Sequence, residues 1–428
     1  METYLVIGGC GFLGRTIVQA LLARGSPVAV FDLVQRYFDE KVQYFTGDLT
    51  DPIALGDAIK KSGATILFHT ASPHYDAPVA VHYKVNVDGT KTLLEVASAN
   101  GAKCLVYTSS AGLIFNSGDA RDIDERVPIP ENPLSSYNKT KGIAEELVLE
   151  ANGKNGLLTV AIRPSGIYGP LDQQGMGPGI AKAVREGQTK VQVGSNNNLT
   201  DWTYVDNVVK AHILAADRLS ECTRGIKLKR EEIMSKSFRN VSLTTKARPV
   251  PTSQARPLGP AVERPANADE IQKAWEHAKT VEQRRTLRSK YDQFSPASLA
   301  SMEKENIDPF RVDGQAFIIT NGEPMYFWDI AHAFMLGFGA PQKHVDHPPI
   351  TIPKPVGHVF GLISEWLFWC IGKTPTFTSV RADYMCAARY YNYEKARLIL
   401  GYEPDVGVKE GIERTIEWWK EFNSAPKS

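Results

Sequence analysis

Short apolar runs alternate with segments of helical periodicity through the first half of the chain. The run Thr16 to Ala23, with Ile17, Leu21 and Leu22 apolar, has the spacing of one helix face. Apolar runs of the length and composition of buried parallel strands occur at 4–7, 27–31, 42–45, 65–69 and 104–108. Strands that alternate with helices form parallel sheets through right-handed crossovers. The pattern therefore predicts an α/β fold built on a doubly wound parallel sheet.

Glycines spaced G-x-x-G-x-x-G follow the first apolar run, at Gly8, Gly11 and Gly14. Gly8 permits a tight turn, Gly11 leaves room for a pyrophosphate, and Gly14 allows close packing of helix on strand. Phe12 and Leu13 lie between them, where the N–H groups of the next helix would face the phosphates. The loop predicts a Rossmann-type dinucleotide site. Its spacing departs from the commoner G-x-G-x-x-G, and a glycine-rich turn without a ligand is the alternative.

Acidic residues end two of the next strands. Asp32 lies roughly 20 residues beyond the glycine loop, where a carboxylate accepts the ribose 2′-OH and repels a 2′-phosphate. It favours NAD, although Arg36 lies near enough to accommodate the extra phosphate of NADP. Asp48, followed by Leu49, would accept a hydrogen bond from the adenine amino group.

A second group of polar residues predicts hydride transfer. Ser109 and Ser110 follow the strand at 104–108, and Tyr137 and Lys141 are spaced as neighbours on one helix face. A tyrosine with its free pKa near 10 is a poor base, so a lysine ammonium and an oxidised nicotinamide would have to stabilise the phenolate. Lowering the pKa by about three units corresponds to ~4 kcal/mol.

On this interpretation Tyr137 is the general base, Lys141 tunes its pKa, and Ser110 aligns the reacting oxygen, with Ser109 as the fallback. The alternative is a packing aromatic beside a solvated lysine.

Composition excludes several classes of function. Forty-nine basic residues against 48 acidic ones leave no field to attract nucleic acid. With 43% hydrophobic residues, 428 residues suffice for one large α/β unit or two lobes. Five cysteines without C-x-x-C pairs predict neither a zinc site nor a disulfide framework. The glycine loop begins so near Met1 that no signal peptide is expected.

Taken together, these motifs resemble those of the extended short-chain dehydrogenase/reductases, and within them the 3β-hydroxysteroid dehydrogenase family. The likeness is greatest to the decarboxylating sterol-4α-carboxylate 3-dehydrogenases, and it covers about residues 4–220 and 312–420. The motifs that carry it are the glycine loop, Asp48-Leu49, Asn86 in Val-Asn-Val-Asp-Gly-Thr, Ser109-Ser110, Tyr137 with Lys141, and the runs at 106–115, 163–170, 201–212, 317–328 and 374–377.

The resemblance implies NAD(P)-dependent oxidation of the 3β-hydroxyl of a 4α-carboxysterol, or a related triterpenoid, with C4 decarboxylation. It implies that Lys141 also holds the nicotinamide ribose and that Asn86 joins the cofactor site, while Ala71 follows a strand beside which the middle of the cofactor would lie. It implies a peripheral location on the cytoplasmic face of the endoplasmic reticulum membrane. It leaves open a homodimer and a sterol C4-demethylation complex.

Two other functions share these motifs. A nucleotide-sugar epimerase or dehydratase has the same fold, glycines, serine, tyrosine and lysine. A non-catalytic NAD-binding regulator is the third reading, although such proteins tend to lose the tyrosine or the lysine, and this chain has both.

The chain divides into three predicted regions. Residues 1–220 form the NAD-binding domain with the catalytic pair, and residues 312–428 form a smaller C-terminal substrate lobe. Between them, 221–311 is polar, charged and proline-rich, which predicts a largely disordered insert.

The C-terminal lobe contains an apolar run, 356–371, that is shorter than the ~20 residues needed to span a bilayer. Its Trp366 and Trp369 suggest a face lying in a membrane interface, and a buried core helix is the alternative. The aromatic residues Phe115, Trp202 and Tyr204 are candidates for the substrate pocket, with the core as the alternative.

Overall fold

The computed structural model describes residues 2–235, 277, 293–294, 296–346, 350–372 and 377–424. Its strands are β1 (Tyr4–Ile7), β2 (Val28–Asp32), β3 (Val42–Thr46), β4 (Ile66–His69), β5 (Cys104–Thr108), β6 (Ala120–Ile123), β7 (Leu158–Pro164), β8 (Gly166–Tyr168), β9 (Val191–Val193), β10 (Leu199–Thr200), β11 (Trp202–Tyr204), β12 (Gln315–Ile319), β13 (Met325–Tyr326), β14 (Ile350–Ile352) and β15 (Arg389–Tyr391).

Its α-helices are α1 (Phe12–Ala23), α2 (Pro52–Ser62), α3 (Val79–His82), α4 (Gly89–Ala97), α5 (Ser136–Glu150), α6 (Met176–Arg185), α7 (Val205–Thr223), α8 (Arg230–Ser235), α9 (Pro296–Lys304), α10 (Phe327–Gly337), α11 (Gln342–Asp346), α12 (Lys354–Cys370), α13 (Ser379–Cys386) and α14 (Val408–Ser424). Short 3₁₀ segments lie at Ser98–Asn100, Ala111–Ile114 and Lys154–Gly156, and π-helical turns at Tyr83–Asp88 and Ala396–Leu400.

Seven parallel strands form the main sheet in the order β12-β7-β5-β4-β1-β2-β3. Ile7 pairs with Phe31 on one side and with His69 on the other, so the carboxyl ends of β1, β2 and β4 lie together. Ligands of doubly wound sheets bind at this edge, near the point where the strand order reverses. The predicted fold class is confirmed.

The main sheet is buried on both faces, which explains its continuous apolar strands. Val6 packs in one core cluster with Ile17 of α1 and Val208 of α7. Its neighbour Leu5 packs in the other cluster, with residues of α2, α4 and α5 such as Leu93. Successive side chains of a strand point to opposite faces, so every position of β1 must be apolar.

A smaller four-stranded sheet, in the order β13-β10-β15-β6, lies beyond the carboxyl edge and draws on both ends of the chain. β6 and β10 come from residues before 220, whereas β12 of the C-terminal region completes the main sheet. Strands from the regions 1–220 and 312–428 therefore share both sheets, and the domain boundaries at 220 and 311 stay predictions.

The described ends of the predicted insert belong to the folded core. Ile233, Phe294, Leu299 and Phe310 are buried in the same cluster as the main sheet. The greater part of the predicted disordered segment lies outside the described residues.

Helix α12 contains most of the apolar run at 356–371. Only Gly357 and Gly361 are buried, where the helix packs against α13. Most of its large apolar side chains are exposed, Trp366 at 63% and Trp369 at 78%. Among the helices that the structure describes, none combines the length and hydropathy needed to cross a membrane.

Candidate active site

The glycine loop forms a cradle at the N-terminus of α1. Gly8 has φ +82°, and a Cβ there would lie 2.6 Å from the nitrogen of Ala71. A Cβ at Gly14 would lie 2.2 Å from the carbonyl oxygen of Gly8. Among the residues that the structure describes, a Cβ at Gly11 would meet only that same oxygen, at 3.3 Å, which leaves its other side open to a ligand. These contacts and the helix N-terminus fit a pyrophosphate.

The predicted cofactor residues flank this cradle. Leu13 is buried and Phe12 half-buried at the start of α1. Asp32, half-buried at the end of β2, accepts a hydrogen bond from the nitrogen of Cys10 at 2.8 Å. Arg36 is exposed beyond it. The position of Asp32 suits a ribose hydroxyl. Because Arg36 is nearby and could accommodate a 2′-phosphate, both NAD and NADP remain candidates for the cofactor.

Asp48 is already engaged by the protein. It accepts hydrogen bonds from Lys84 Nζ at 2.7 Å and from the backbone and hydroxyl of Thr50. The lysine hydrogen bond is the largest cause that lowers the pKa of Asp48 to about 2. Leu49 is buried against Gly89. An adenine amino group that donates to Asp48 would have to share its carboxylate with Lys84 and Thr50.

Two further predicted cofactor residues differ in their surroundings. Ala71 lies directly against Gly8, beside the cradle. Asn86 is buried, and its side chain donates to Thr140 Oγ1 at 2.9 Å and accepts from Ser72 Oγ at 3.2 Å. It thus links the loop after β4 to α5, and no bond of its side chain is directed at the cradle.

Helix α5 brings Tyr137 to the end of β5. Ser135 caps the helix by accepting from the nitrogen of Asn138, which sets Tyr137 in the first turn. The hydroxyls of Ser110 and Ser72 lie near enough to the hydroxyl of Tyr137 to act on its pKa in the lowering direction. Ser110 also accepts from Gly112 N at 3.1 Å.

The fallback residue Ser109 lies elsewhere. Its hydroxyl is buried without a hydrogen-bond partner within the described part of the chain. The structure therefore brings Ser110, and not Ser109, to the tyrosine.

Lys141 lies one helical turn further along α5 and is buried. Its Nζ donates to the carbonyl oxygen of Thr108 at 2.5 Å and lies 4.4 Å from the ring centroid of Tyr107. Burial lowers the pKa of Lys141 to about 7. A lysine in this position is easily neutralised, so its charge is a weak activator in the protein alone.

The pKa of Tyr137 shifts in the direction opposite to the one expected. Burial, and to a smaller extent the neighbouring phenol of Tyr384, raise it to about 12, while the two serine hydroxyls act in the lowering direction. A phenol in this state is a weak base at neutral pH. The positive charge expected on an oxidised nicotinamide therefore matters more than the lysine.

Three neighbours of Tyr137 were missing from the sequence prediction. Ser72 ends the His-Thr-Ala-Ser segment after β4, whose strand-end position was an available signal. His82 is buried with its ring edge-on to Tyr137, centroids 5.9 Å apart, and its Nδ1 lies 2.8 Å from Ser136 Oγ. Tyr384 comes from α13, about 250 residues along the chain, and no local pattern points to it.

The three aromatic pocket candidates separate into two groups. Phe115 packs edge-on against Tyr384 at 5.9 Å, beside the site. Trp202 and Tyr204 are buried members of the core cluster of the main sheet. In the described ranges, no group of three or more His, Cys, Asp or Glu is arranged to hold a metal ion.

Comparison with known sequences gives a consistent picture. The model of the 3-beta hydroxysteroid dehydrogenase/isomerase family matches residues 5–238. The chain is 35% identical over 98% of its length to the sterol-4-alpha-carboxylate 3-dehydrogenase, decarboxylating, of Candida albicans, of which it covers 98%. It is 33% identical to the enzyme of that name from Saccharomyces cerevisiae, with 98% and 99% covered. The Homo sapiens protein is 31% identical, with 96% and 87% covered.

Solved structures share the architecture. A UDP-glucose 4-epimerase of Thermotoga maritima superimposes with a TM-score of 0.59 at 17% identity, covering 99% of this chain and 100% of that one. A Thermus thermophilus UDP-glucose 4-epimerase, solved with NAD, gives 0.58 at 18% identity, covering 98% and 99%. At these identities the likeness shows the fold alone.

Proposed function

The chain belongs to the 3-beta hydroxysteroid dehydrogenase/isomerase family, and we propose that it is an NAD(P)-dependent dehydrogenase of 4α-carboxysterols or related triterpenoid acids. It oxidises the 3β-hydroxyl to a ketone, and the C4 carboxyl is then lost. The observation that carries this proposal is the similarity to the Candida albicans enzyme along nearly the whole of both chains. The neighbouring hydroxyls of Ser110 and Tyr137, beside a glycine cradle, support it.

The residues divide the work of binding the cofactor and holding the substrate. Backbone N–H groups at Gly11 and the start of α1 hold the pyrophosphate, and Asp32 the ribose of the adenosine half. When bound, NAD supplies the hydride acceptor and a positive charge beside the tyrosine. Ser110 and Tyr137 hold the substrate hydroxyl between them, and Tyr137 removes its proton.

Loss of carbon dioxide requires no second site. The oxidised product carries a ketone at C3 and a carboxylate at C4, which makes it a β-keto acid. As carbon dioxide leaves, the electrons of the bond between C4 and the carboxyl carbon form the enolate of the C3 ketone, and a proton from water added at C4 then gives the ketone. We therefore assign no residue to decarboxylation.

The first experiment is a spectrophotometric assay. Purified protein is mixed with NAD or NADP and a 4α-carboxy-3β-hydroxysterol in detergent, and absorbance is followed at 340 nm. We expect reduced cofactor and a 3-ketone lacking the C4 carboxyl, preferentially with NAD. Tightly retained NAD with conversion of a UDP-sugar, and no sterol turnover, would instead identify an epimerase.

We also propose that α12 docks on a lipid surface. Its exposed side chains form an apolar face that ends in two tryptophans, the residue type enriched at membrane interfaces. The exposed apolar residues are Val356, Val359, Phe360, Leu362, Ile363, Trp366, Leu367 and Trp369. A sterol substrate dissolves in membranes, so a peripheral position on the endoplasmic reticulum would bring enzyme and substrate together. A homodimer and a C4-demethylation complex stay predictions.

A further inference from the structure

His82 is a fully buried histidine whose two ring nitrogens both have partners. It is the last residue of α3. Its Nε2 lies 2.9 Å from the carbonyl oxygen of His74, and its Nδ1 lies 2.8 Å from Ser136 Oγ. Because a carbonyl oxygen can only accept, Nε2 carries a proton, and in the neutral ring Nδ1 accepts from the hydroxyl of Ser136. The imidazole therefore joins the loop after β4 to the first turn of α5.

A second polar link lies beside the one that His82 makes. Asn86, in the π-helical turn that follows α3, donates to Thr140 Oγ1 of α5 and accepts from Ser72 Oγ of the loop. Each of the two links thus holds α5 on one side and the loop after β4 on the other. Buried polar side chains whose hydrogen bonds are satisfied make the packing around them rigid and unique. His82 holds the first turn of α5, and Asn86 holds the next one.

The ring of His82 also lies against the proposed general base. It packs edge-on to the ring of Tyr137, with the centroids 5.9 Å apart and the ring planes at 70°. Tyr137 directly follows Ser136, so the residue that His82 bonds and the residue that it packs against are neighbours in the chain. The imidazole therefore supports the tyrosine ring, whose hydroxyl lies near those of Ser110 and Ser72.

We propose that His82 is a positioning residue, which holds the ring of Tyr137 where its hydroxyl can reach the hydroxyl of the substrate. This inference rests on the proposed function and deepens it. His82 takes no proton itself, and its effect reaches the reaction through Tyr137 and the first turn of α5. Because a base must lie within hydrogen-bond reach of the proton that it removes, a displacement of about 1 Å can lower the rate about 100-fold. Loss of the imidazole should therefore lower kcat more than it changes the binding of the substrate.

The test removes the hydrogen bonds of His82 one at a time. His82→Gln keeps a donor near the position of Nε2 for His74, His82→Asn keeps a polar atom near the position of Nδ1 for Ser136, and His82→Phe keeps a ring without either bond. Ser136→Ala removes the partner on α5, and combining it with His82→Phe completes a double-mutant cycle. His332→Gln is the control, because His332 is a buried histidine of α10 that packs against Trp328.

The first readout is turnover of the carboxysterol, with melting temperatures to monitor folding. We expect kcat to fall about 10-fold in His82→Phe, while KM changes less than about twofold. His82→Asn should recover more of kcat than His82→Gln, because it keeps the bond to Ser136. The double variant should lose no more than His82→Phe alone, and His332→Gln should keep the kcat of wild type.

The second readout does not depend on turnover. Tyrosine labelled with ¹³C at Cζ is incorporated, and the signal of Tyr137 is identified by its loss in Tyr137→Phe. Titration of this signal with NAD present gives the pKa of Tyr137. We expect that pKa to rise in His82→Gln, because the phenolate moves away from the hydroxyls that stabilise it.

The two readouts separate this inference from the proposed function. An unchanged pKa of Tyr137 in His82→Gln, or a loss of kcat no greater than that of His332→Gln, would overturn the positioning role and leave the proposed function intact. A wild type that does not oxidise the carboxysterol, with the pKa of Tyr137 still raised in His82→Gln, would remove only the proposed function. If His82→Phe does not fold, His82→Asn and His82→Gln give the same comparison.

Discussion

Helices α5 and α12 distribute their side chains in opposite ways. Along α5 the charged residues Lys141 and Glu145 are 2% and 1% exposed, and Glu145 pairs with the buried Arg163 at 2.5 Å. Along α12 the large apolar residues face outward, and the buried positions are two glycines. In most proteins charged groups lie outside and large apolar patches are covered. Helix α5 departs from that rule at the proposed catalytic site, and helix α12 departs from it at the proposed contact with lipid.

The two departures have different physical consequences. Buried charge on α5 is stabilised by pairing and hydrogen bonding, so single substitutions there should change chemistry and stability together. Exposed apolar area on α12 is compensated only when something covers it, so substitutions there should alter binding to a surface and leave the folded protein unchanged.

The largest effect should come from Tyr137→Phe, which removes the proposed general base on helix α5. We expect kcat to fall about 1,000-fold, or ~4 kcal/mol, since general base catalysis contributes of that order. The measurement is NADH formation with the carboxysterol in detergent. Affinity for NAD, measured by calorimetry, should change little, because the glycine cradle is formed by other residues. Retention of activity would show that another group takes the proton.

The second largest effect concerns the exposed apolar face of α12. The double variant Trp366→Glu, Trp369→Glu should bind phospholipid vesicles about 100-fold more weakly, because each ring withdrawn from the interface loses on the order of 1.5 kcal/mol. Flotation with vesicles of neutral and anionic lipid gives the measurement. Turnover in detergent and the melting temperature should match wild type, since both rings are largely exposed.

The matched control is Ile53→Glu, a 77% exposed apolar residue on α2 of the cofactor half. It should leave vesicle binding unchanged. If the tryptophan variant floats like wild type but no longer self-associates in size-exclusion chromatography, then a second copy of the chain, and not lipid, covers α12.

Sequence reasoning identified the structural elements that local spacing encodes. The glycine cradle and the helix that carries Tyr137 and Lys141 are each encoded within a few residues, and sheet periodicity gave the fold. It did not find Tyr384, because its proximity to Tyr137 results from chain segments about 250 residues apart. It also did not anticipate that burial raises the pKa of Tyr137 in the protein alone, because burial cannot be read from a motif. The apolar composition of α12 predicted an apolar face, but it did not identify the surface that this face contacts.

A third variant tests how α12 is attached. A Cβ at Gly361 would lie 2.2 Å from the nitrogen of Ser379, the first residue of α13. We expect Gly361→Ala to destabilise the fold by about 2 kcal/mol, because the backbones of α12 and α13 must separate. Gly179→Ala, in α6, should be neutral or stabilising, because no atom of the described part of the chain lies within 4 Å of the added Cβ. Denaturant unfolding measures both, and equal stability of the two variants would contradict the close packing.

The smallest effect should come from Lys141→Met. The change in stability that it causes should depend on pH. The pKa of Lys141 falls from 10.5 to about 7 on burial, so folding must place a charged lysine in the core below pH 7. This penalty fades as pH rises toward 10.5, where the unfolded chain also loses its proton. We expect Lys141→Met to be more stable than wild type by about 1 kcal/mol at pH 6.5, because the lost hydrogen bond to Thr108 offsets part of the gain. The wild type should gain stability relative to the variant as pH rises above 7 and should be the more stable protein by pH 9.5, whereas a difference independent of pH would mean that the lysine is paired and charged throughout.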